Sequence, residues 1–404
     1  MHGIADGASR ARRGGGLVAW GRGGLLMIPV MKPWLGEEEA RAAADAVASG
    51  WVAQGPRVAE FEQRFAERVG AEHGVAVSSC TTALHLAMYL LGLGPGDEVV
   101  VPSFSFIATA NCAVYVGASP VFADVEPEDG NLSVRTVEPV LTPRTRAVIV
   151  VHQGGMPADV DPLRRLCADR GIALVEDAAC AAGSTYHGAQ AGGAAELAAW
   201  SFHPRKLLTT GEGGMLTTHD AELAERARRL REHGMNVSAA ARHRSRQPVL
   251  ESYLEVGFNY RMTDIQAAVG LVQLGKLDAM VQRRRELADR YRELLADVPG
   301  LRAVRDPAWG TSNYQSFWIE LGDGYPLRRN ELLAALAEGG VSARAGIMAA
   351  HRQPAYAGHP YAELPVTDRL TDRTLILPVY HQMTEQEQDT VVGLVRAAAG
   401  LRAA

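Results

Sequence analysis

Lysine is nearly absent from this chain. Only Lys32, Lys206 and Lys276 occur among its 41 basic residues, so arginine carries almost all the positive charge. Cysteine is scarce too. Cys80, Cys112, Cys167 and Cys180 form no Cys-x-x-Cys pair and no metal-ligand spacing, which leaves a reduced cytoplasm as the default setting. No uninterrupted apolar run approaches the ~20 residues of a membrane span. A net charge of −5 gives no basic footprint for nucleic acid. No Ser/His/Asp signature stands out. What is present is an ordinary globular composition, 47% hydrophobic and 22% charged, in 404 residues. That length is material for two to three domains.

Residues 1–26 are rich in Gly, Arg and Ala, carry no acid after Asp6, and lack the apolar run of a signal peptide. They read as a disordered extension. Residues 237–247, with Arg242, His243, Arg244 and Arg246, read as a polar loop. It is either simply solvated or a basic loop that meets a phosphorylated substrate. Between these segments, short apolar runs alternate with amphipathic stretches. Val75-Ala-Val-Ser-Ser precedes a helix over 81–91, and Glu98-Val-Val-Val-Pro precedes one over 107–116. Pro120-Val-Phe-Ala-Asp follows, then Arg146-Ala-Val-Ile-Val-Val, a helix over 161–170, and Ile172-Ala-Leu-Val-Glu-Asp. This alternation predicts an α/β fold with a mostly parallel sheet covered on both faces. From about Lys276 the pattern changes to a long charged helix over 277–295, then strand, helix and irregular segments. The expected organisation is a large domain over 27–275 and a smaller α+β domain over 276–404.

Ligands of such sheets sit beyond the carboxyl ends of the strands, where Ser78–Thr82, Ser103–Phe106, His152–Gly155 and Asp177 all fall. The scarcity of lysine makes Lys206 conspicuous, because it lies in the Ser/Thr/Gly-rich segment Ser201-Phe-His-Pro-Arg-Lys-Leu-Leu-Thr-Thr-Gly-Glu-Gly-Gly214. Unlike arginine, a desolvated lysine can lose its proton and attack a carbonyl. Asp177 ends an apolar strand, and the small residues behind it would let a flat ring approach the backbone. A Schiff-base lysine and an acid facing a pyridine nitrogen suit a pyridoxal phosphate site. Glu176 is the weaker acid, since strand neighbours point to opposite faces. Ser79-Cys-Thr-Thr-Ala83 opens a helix straight after a strand, where free N–H groups attract anions; Thr81, Thr82 and Ser201 could add hydroxyls. Phe106 could stack on a ring. His85 reads as structural, while His152 and His203 are better placed.

Several separated blocks carry a family resemblance: Gly50-Trp-Val-Ala-Gln-Gly-Pro, Ala83-Leu-His-Leu-Ala, Gly94-Pro-Gly-Asp-Glu-Val, Val101-Pro-Ser-Phe-Ser-Phe-Ile-Ala-Thr-Ala-Asn111, Val175-Glu-Asp-Ala-Ala, the Lys206 segment and Gly257-Phe-Asn-Tyr-Arg-Met-Thr-Asp264. In their order and spacing the chain, from about Met27 onward, resembles the DegT/StrS sugar aminotransferases of pyridoxal phosphate fold-type I. The resemblance implies Lys206 as Schiff-base lysine and proton shuttle, Asp177 as pyridine-nitrogen partner and Phe106 as stacking residue. It implies phosphate contacts from Thr81 and Ser201, and Asn259 reaching the cofactor of a second subunit in a homodimer. Arg344-Ala-Gly-Ile-Met-Ala-Ala-His351 resembles a substrate-side segment, making Arg344, His351 and, from the lysine loop, His203 candidate substrate contacts. Cys180 stands where many relatives have Gln, His or Glu beside the cofactor, and Cys80 where many have Gly.

The reaction implied is amino transfer from glutamate or glutamine to a nucleotide-linked keto sugar, with a keto-cyclitol such as an inosose as the alternative. Lys206 argues against the dehydratases of this fold, which lack a Schiff-base lysine. Cys180, close behind a strand end, does not suit the mobile nucleophile of a cysteine desulfurase. A non-catalytic binding protein that retains the fold is the reading from another class.

Overall fold

The computed structural model describes residues 27–237 and 250–401. The expectations for 1–26 and most of 237–247 therefore lie outside the described residues. The centre of the molecule is a seven-stranded sheet. In chain order its strands are β1 (His73–Val77), β2 (Glu98–Pro102), β3 (Ser119–Ala123), β4 (Thr145–Val151) and β5 (Ala173–Asp177). After the short β6 (Thr185–Tyr186) and β7 (Ala189–Gln190) come β8 (Leu197–Ser201) and β9 (Gly214–Thr218). The spatial order is β1-β9-β8-β5-β4-β2-β3. Neighbours from β8 to β3 pair in parallel, and β9 alone runs antiparallel to both its neighbours. The mostly parallel sheet read from the sequence is present.

Both faces are covered because the central strands bury apolar side chains on both sides. In β5, Val175 enters a cluster with Leu84, Leu86, Val99 and Ile149, while Leu174 enters another with Val100, Val148 and Leu163. Alternation then sends Glu176 and Asp177 apart as well. The helices Cys80–Leu90, Ala108–Tyr115 and Val160–Asp169 match the expected positions to within a residue or two at each end.

The long charged helix starts earlier than its charge pattern suggests. It runs from Asp264 to Leu294, capped by Thr263, whose Oγ1 accepts from the Gln266 N–H at 3.2 Å while Gln266 Oε1 accepts from the Thr263 N–H at 2.9 Å. The change in composition near Lys276 marks where this helix leaves one core for another. Ala267 packs with Phe61, Phe65 and Trp200; Leu287 and Tyr291 pack with Phe317 and Ile319. The expected boundary at 275/276 thus falls inside one continuous helix.

The smaller unit is built on β10 (Leu301–Ala303), β12 (Phe317–Leu321), β13 (Arg344–Ala345) and β14 (Thr374–Leu377), all antiparallel in the order β10-β12-β14-β13. The two-residue β11 (Gly310–Thr311) pairs instead with β6 of the large unit. The segment after Met27 also joins the small unit: Ile28 N–H donates to Gly340 O at 2.8 Å, and Ser342 N–H donates to Ile28 O at 2.9 Å.

Candidate active site

The carboxyl ends of β1, β2, β4, β5 and β8 open onto one cavity of roughly 310 Å³. Cys80, Thr81, Phe106, Asp177, Cys180, Ser201, His203 and Lys206 all line it. Residues spread over 126 positions of sequence are thus brought together by parallel strands that end side by side.

Lys206 is half-buried, and its Nζ lies 3.0 Å from the Cys180 Sγ. Burial works against the ammonium, yet Cys180, Cys80 and Asp177 outweigh it and hold the amine's pKa above its usual value. Asp177 is 5% exposed. Thr109 Oγ1 donates to its Oδ2 at 2.8 Å, and the Ala179 N–H donates to its Oδ1 at 3.2 Å. Burial nevertheless pushes the Asp177 carboxyl up, against those two hydrogen bonds and the charge of Lys206. A cation placed against Asp177 would relieve that cost. Glu176 faces the other way: its Oε2 is 3.0 Å from His152 Nε2, and its Oε1 accepts from Arg164 at 3.3 Å. Since His152 Nδ1 accepts from the Ala158 N–H at 3.1 Å, the ring donates from Nε2 and is part of the scaffold.

At the opposite wall, Ser79 caps the helix Cys80–Leu90. Its Oγ accepts from the Thr82 N–H at 3.2 Å, and Thr82 Oγ1 accepts from the Ser79 N–H at 3.1 Å. Thr82 is therefore spent on the cap. The Thr81 hydroxyl has no hydrogen-bond partner among the described residues. This end of the helix supplies free N–H groups and the positive end of a dipole. Gly214 lets β9 pass over it: a Cβ there would sit 2.3 Å from the Ser79 carbonyl carbon. Burial and the Asp177 charge raise the Cys80 thiol well above its usual pKa, which keeps it neutral. Phe106 remains 63% exposed beside the cavity, so one face of its ring is available. Ser201 Oγ accepts from the His203 N–H at 3.5 Å. His203 Nδ1 accepts from the Arg205 N–H at 3.1 Å, and its Nε2 is 3.9 Å from Glu212.

Three expected residues lie elsewhere. His351 is buried between Ser103 Oγ, 2.7 Å from its Nδ1, and Asp368, 3.2 Å from its Nε2, and does not line the cavity. Arg344, exposed on β13, lines a smaller adjoining cavity. Asn259 is exposed in the segment that begins at Leu250, and is bridged to Glu232.

Other residues were not legible. Gln315 Oε1 accepts from the Leu207 N–H at 2.9 Å, and its Nε2 donates to Arg205 O at 2.5 Å. Asn313 Nδ2 donates to the carbonyls of Cys180 and Ala182, each at 2.8 Å. Both come from the segment before β12, which carries no recognisable pattern beyond its polarity.

The set suits pyridoxal phosphate: a helix N-terminus with an unengaged hydroxyl for a phosphate, a buried carboxyl for a pyridinium, and a lysine in the same cavity. Comparison with known proteins decides the matter. The DegT/DnrJ/EryC1/StrS aminotransferase family profile matches residues 33–396. The chain belongs to this family. The Bacillus subtilis (strain 168) spore coat polysaccharide biosynthesis protein SpsC is 38% identical over 374 residues, covering 91% of this chain and 96% of that protein. The dTDP-4-dehydro-2,3,6-trideoxy-D-glucose 4-aminotransferase of Saccharopolyspora spinosa is 39% identical over 373 residues, covering 90% and 95%. The crystal structure of the aminotransferase TlmJ from Streptoalloteichus hindustanus superposes with a TM-score of 0.85 at 41% identity, covering 93% of this chain and 99% of that one. As a DegT/DnrJ/EryC1/StrS aminotransferase, the protein is a pyridoxal phosphate-dependent enzyme of fold-type I.

Proposed function

We propose that this aminotransferase moves an amino group from glutamate or glutamine to a keto sugar carried on a nucleotide. The observation that carries this reading is the placement of the Lys206 amine and the Asp177 carboxyl in one cavity with an anion-binding helix N-terminus. The Saccharopolyspora spinosa relative, named for action on a dTDP-linked keto sugar, supports the acceptor class.

Bound pyridoxal phosphate supplies an aldehyde that takes up amino groups and a ring that holds the electrons released at the donor's α-carbon. The chain's residues do the rest. Thr81, Ser201 and the N–H groups at the start of the helix Cys80–Leu90 bind the phosphate. Asp177, oriented by Thr109, keeps a proton on the ring nitrogen, and Phe106 covers one ring face. Lys206 Nζ would hold the cofactor through its aldehyde carbon between turnovers. The freed Lys206 amine would accept the proton from the donor's α-carbon and would carry it to the cofactor's former aldehyde carbon. Donor and acceptor use the same residues in turn, so ping-pong kinetics are expected.

The homodimer belongs to the same proposal, with Asn259 contributing to the partner's cofactor site. Its support is the apolar surface near Asn259, where Leu250 is 89% and Val256 79% exposed and Tyr253 and Leu254 are also uncovered. No helix among the described residues is long and apolar enough to cross a membrane. Together with four free cysteines, this supports the cytoplasm as the working compartment.

The test is a mass-spectrometric screen of keto-sugar nucleotides and inososes against glutamate and glutamine, with Lys206→Ala as control. Amination of an inosose but of no nucleotide sugar would replace the acceptor. Normal turnover by Lys206→Ala would remove the mechanism.

A further inference from the structure

A second, smaller cavity, roughly 160 Å³, shares Cys180, Arg205 and Lys206 with the first. Lys206 therefore stands where the two meet. Three side chains lining the smaller cavity are cationic, Arg205, Lys206 and Arg344, and none is acidic. Most of the remaining wall is apolar, with Val30 and Met31 from the first described segment and Phe317, Ile376 and Leu377 from the small sheet. Neither Arg205 nor Arg344 has a carboxylate partner among the described residues. Some arginines elsewhere on the small unit are paired: Arg352 with Asp368 and Asp372, and Arg302 with Glu320.

The two guanidiniums also start from fixed backbone. Gln315 holds the Arg205 carbonyl, and Arg344 pairs in register with Ile376 on β14. Their field converges on the lysine loop. The His203 pKa is lowered first by burial and then by Arg205, Lys206 and Arg344, against the pull of Glu212. Unpaired like charges around one small space are costly, and an anion that accepts from both reverses that cost.

We infer that Arg205 and Arg344 bind a carboxylate of the amino donor in this smaller cavity beside Lys206. The inference rests on the aminotransferase reading above and names where its first substrate is held. A carboxylate matches guanidinium geometry, and the apolar wall suits the methylene chain of glutamate. A diphosphate would match the charge equally well. The cavity, however, is smaller than the ~300 Å³ at which pockets begin to enclose drug-sized ligands, and a nucleotide sugar exceeds it.

Calorimetric titration of the cofactor-loaded aldehyde form, which has no amino group to pass to a keto acid, with 2-oxoglutarate, and separately with dTDP, tests this. Both arginines are exposed, and retained cofactor absorbance and melting temperature would show that Arg205→Gln and Arg344→Gln fold normally. The expected result is at least a tenfold weaker Kd for 2-oxoglutarate in each variant, with dTDP changed less than twofold. Arg344→Lys should recover part of the loss, since a point charge lacks the two-pronged geometry. Unchanged 2-oxoglutarate binding in both variants overturns the inference. So does a loss confined to dTDP, or a wild-type protein with no affinity for 2-oxoglutarate. Binding is read without turnover, so this failure stays distinct from failure of the aminotransferase reading, in which no amino acid would convert the aldehyde form.

Discussion

Gln315 grips the backbone on both sides of Lys206, accepting from the Leu207 N–H at 2.9 Å and donating to the Arg205 carbonyl at 2.5 Å. One side chain from the small unit thus fixes the loop that presents the reactive amine of the large one. Gln315→Ala leaves both peptide groups without this partner and lets Nζ wander. Misplacement by about 1 Å costs on the order of 100-fold in rate. We expect kcat to fall about 10- to 100-fold, while the melting temperature changes little. Steady-state kinetics with a fixed donor and acceptor check this; a kcat within twofold of wild type would mean that the loop holds its shape without the clamp.

The contact between Lys206 and Cys180 sets how readily the free amine reacts. Burial alone would lower the Lys206 pKa, and Cys180 is the largest of the neighbours that raise it. Only the neutral amine attacks an aldehyde. In cofactor-free protein, Cys180→Ala should therefore shift the pH profile of reconstitution with pyridoxal phosphate toward lower pH. At a fixed neutral pH the variant should regain colour faster. Stopped-flow absorbance across pH gives the comparison, and coincident profiles would show that the thiol has no influence on the amine.

Much of this site could be read locally. Strand periodicity placed Asp177 at a strand end, and the Ser/Thr/Gly-rich loop singled out Lys206, because both signals lie within a few residues of the group itself. Gln315, Asn313 and Thr109 were invisible, since their roles depend on partners 108, 133 and 68 positions away. His351 shows the converse. Its segment resembles a substrate-side stretch, but the ring turns inward to Ser103 and Asp368, and no local pattern says which way a loop side chain points. The expected boundary at 275/276 falls inside a helix for a similar reason. A change from apolar to charged composition records a change of surroundings, and the helix Asp264–Leu294 spans two of them.

Asp264 gives the last block of the family resemblance a structural purpose. Fully buried, its Oδ1 accepts from the Gly55 and Val58 N–H groups at 2.8 and 3.0 Å, and its Oδ2 from Arg57 at 3.1 Å. It thereby caps the helix Pro56–Val69, whose N-cap glycine has no side chain to do so. Asp264→Ala strands three donors and should cost about 3 kcal/mol. Asp264→Asn keeps an acceptor oxygen and should cost about 1 kcal/mol. Urea unfolding midpoints measure both, and equal losses would mean that packing, not the hydrogen bonds, carries the effect.

Asp129 makes stability depend on pH far from the active site. Burial pushes its carboxyl up to about 6, against hydrogen bonds from Asn131 and with the added repulsion of Glu126 and Glu128. The unfolded chain titrates near the ordinary value of 3.8. Between these values the folded state holds a proton that the unfolded state has released, so this group's contribution falls as pH rises through the window. Above about 6 the loss is complete and constant; below about 4 both states are protonated and no loss remains. Asp129→Asn is neutral throughout and keeps an oxygen for the Asn131 N–H, which Asp129 Oδ1 accepts at 2.9 Å. The variant should match wild type near pH 4 and exceed it at pH 8 by about 3 kcal/mol at most. Chemical denaturation at the two pH values settles the sign. A variant less stable than wild type at pH 8 would show that the carboxylate is stabilised in place, and that its burial does not govern its titration.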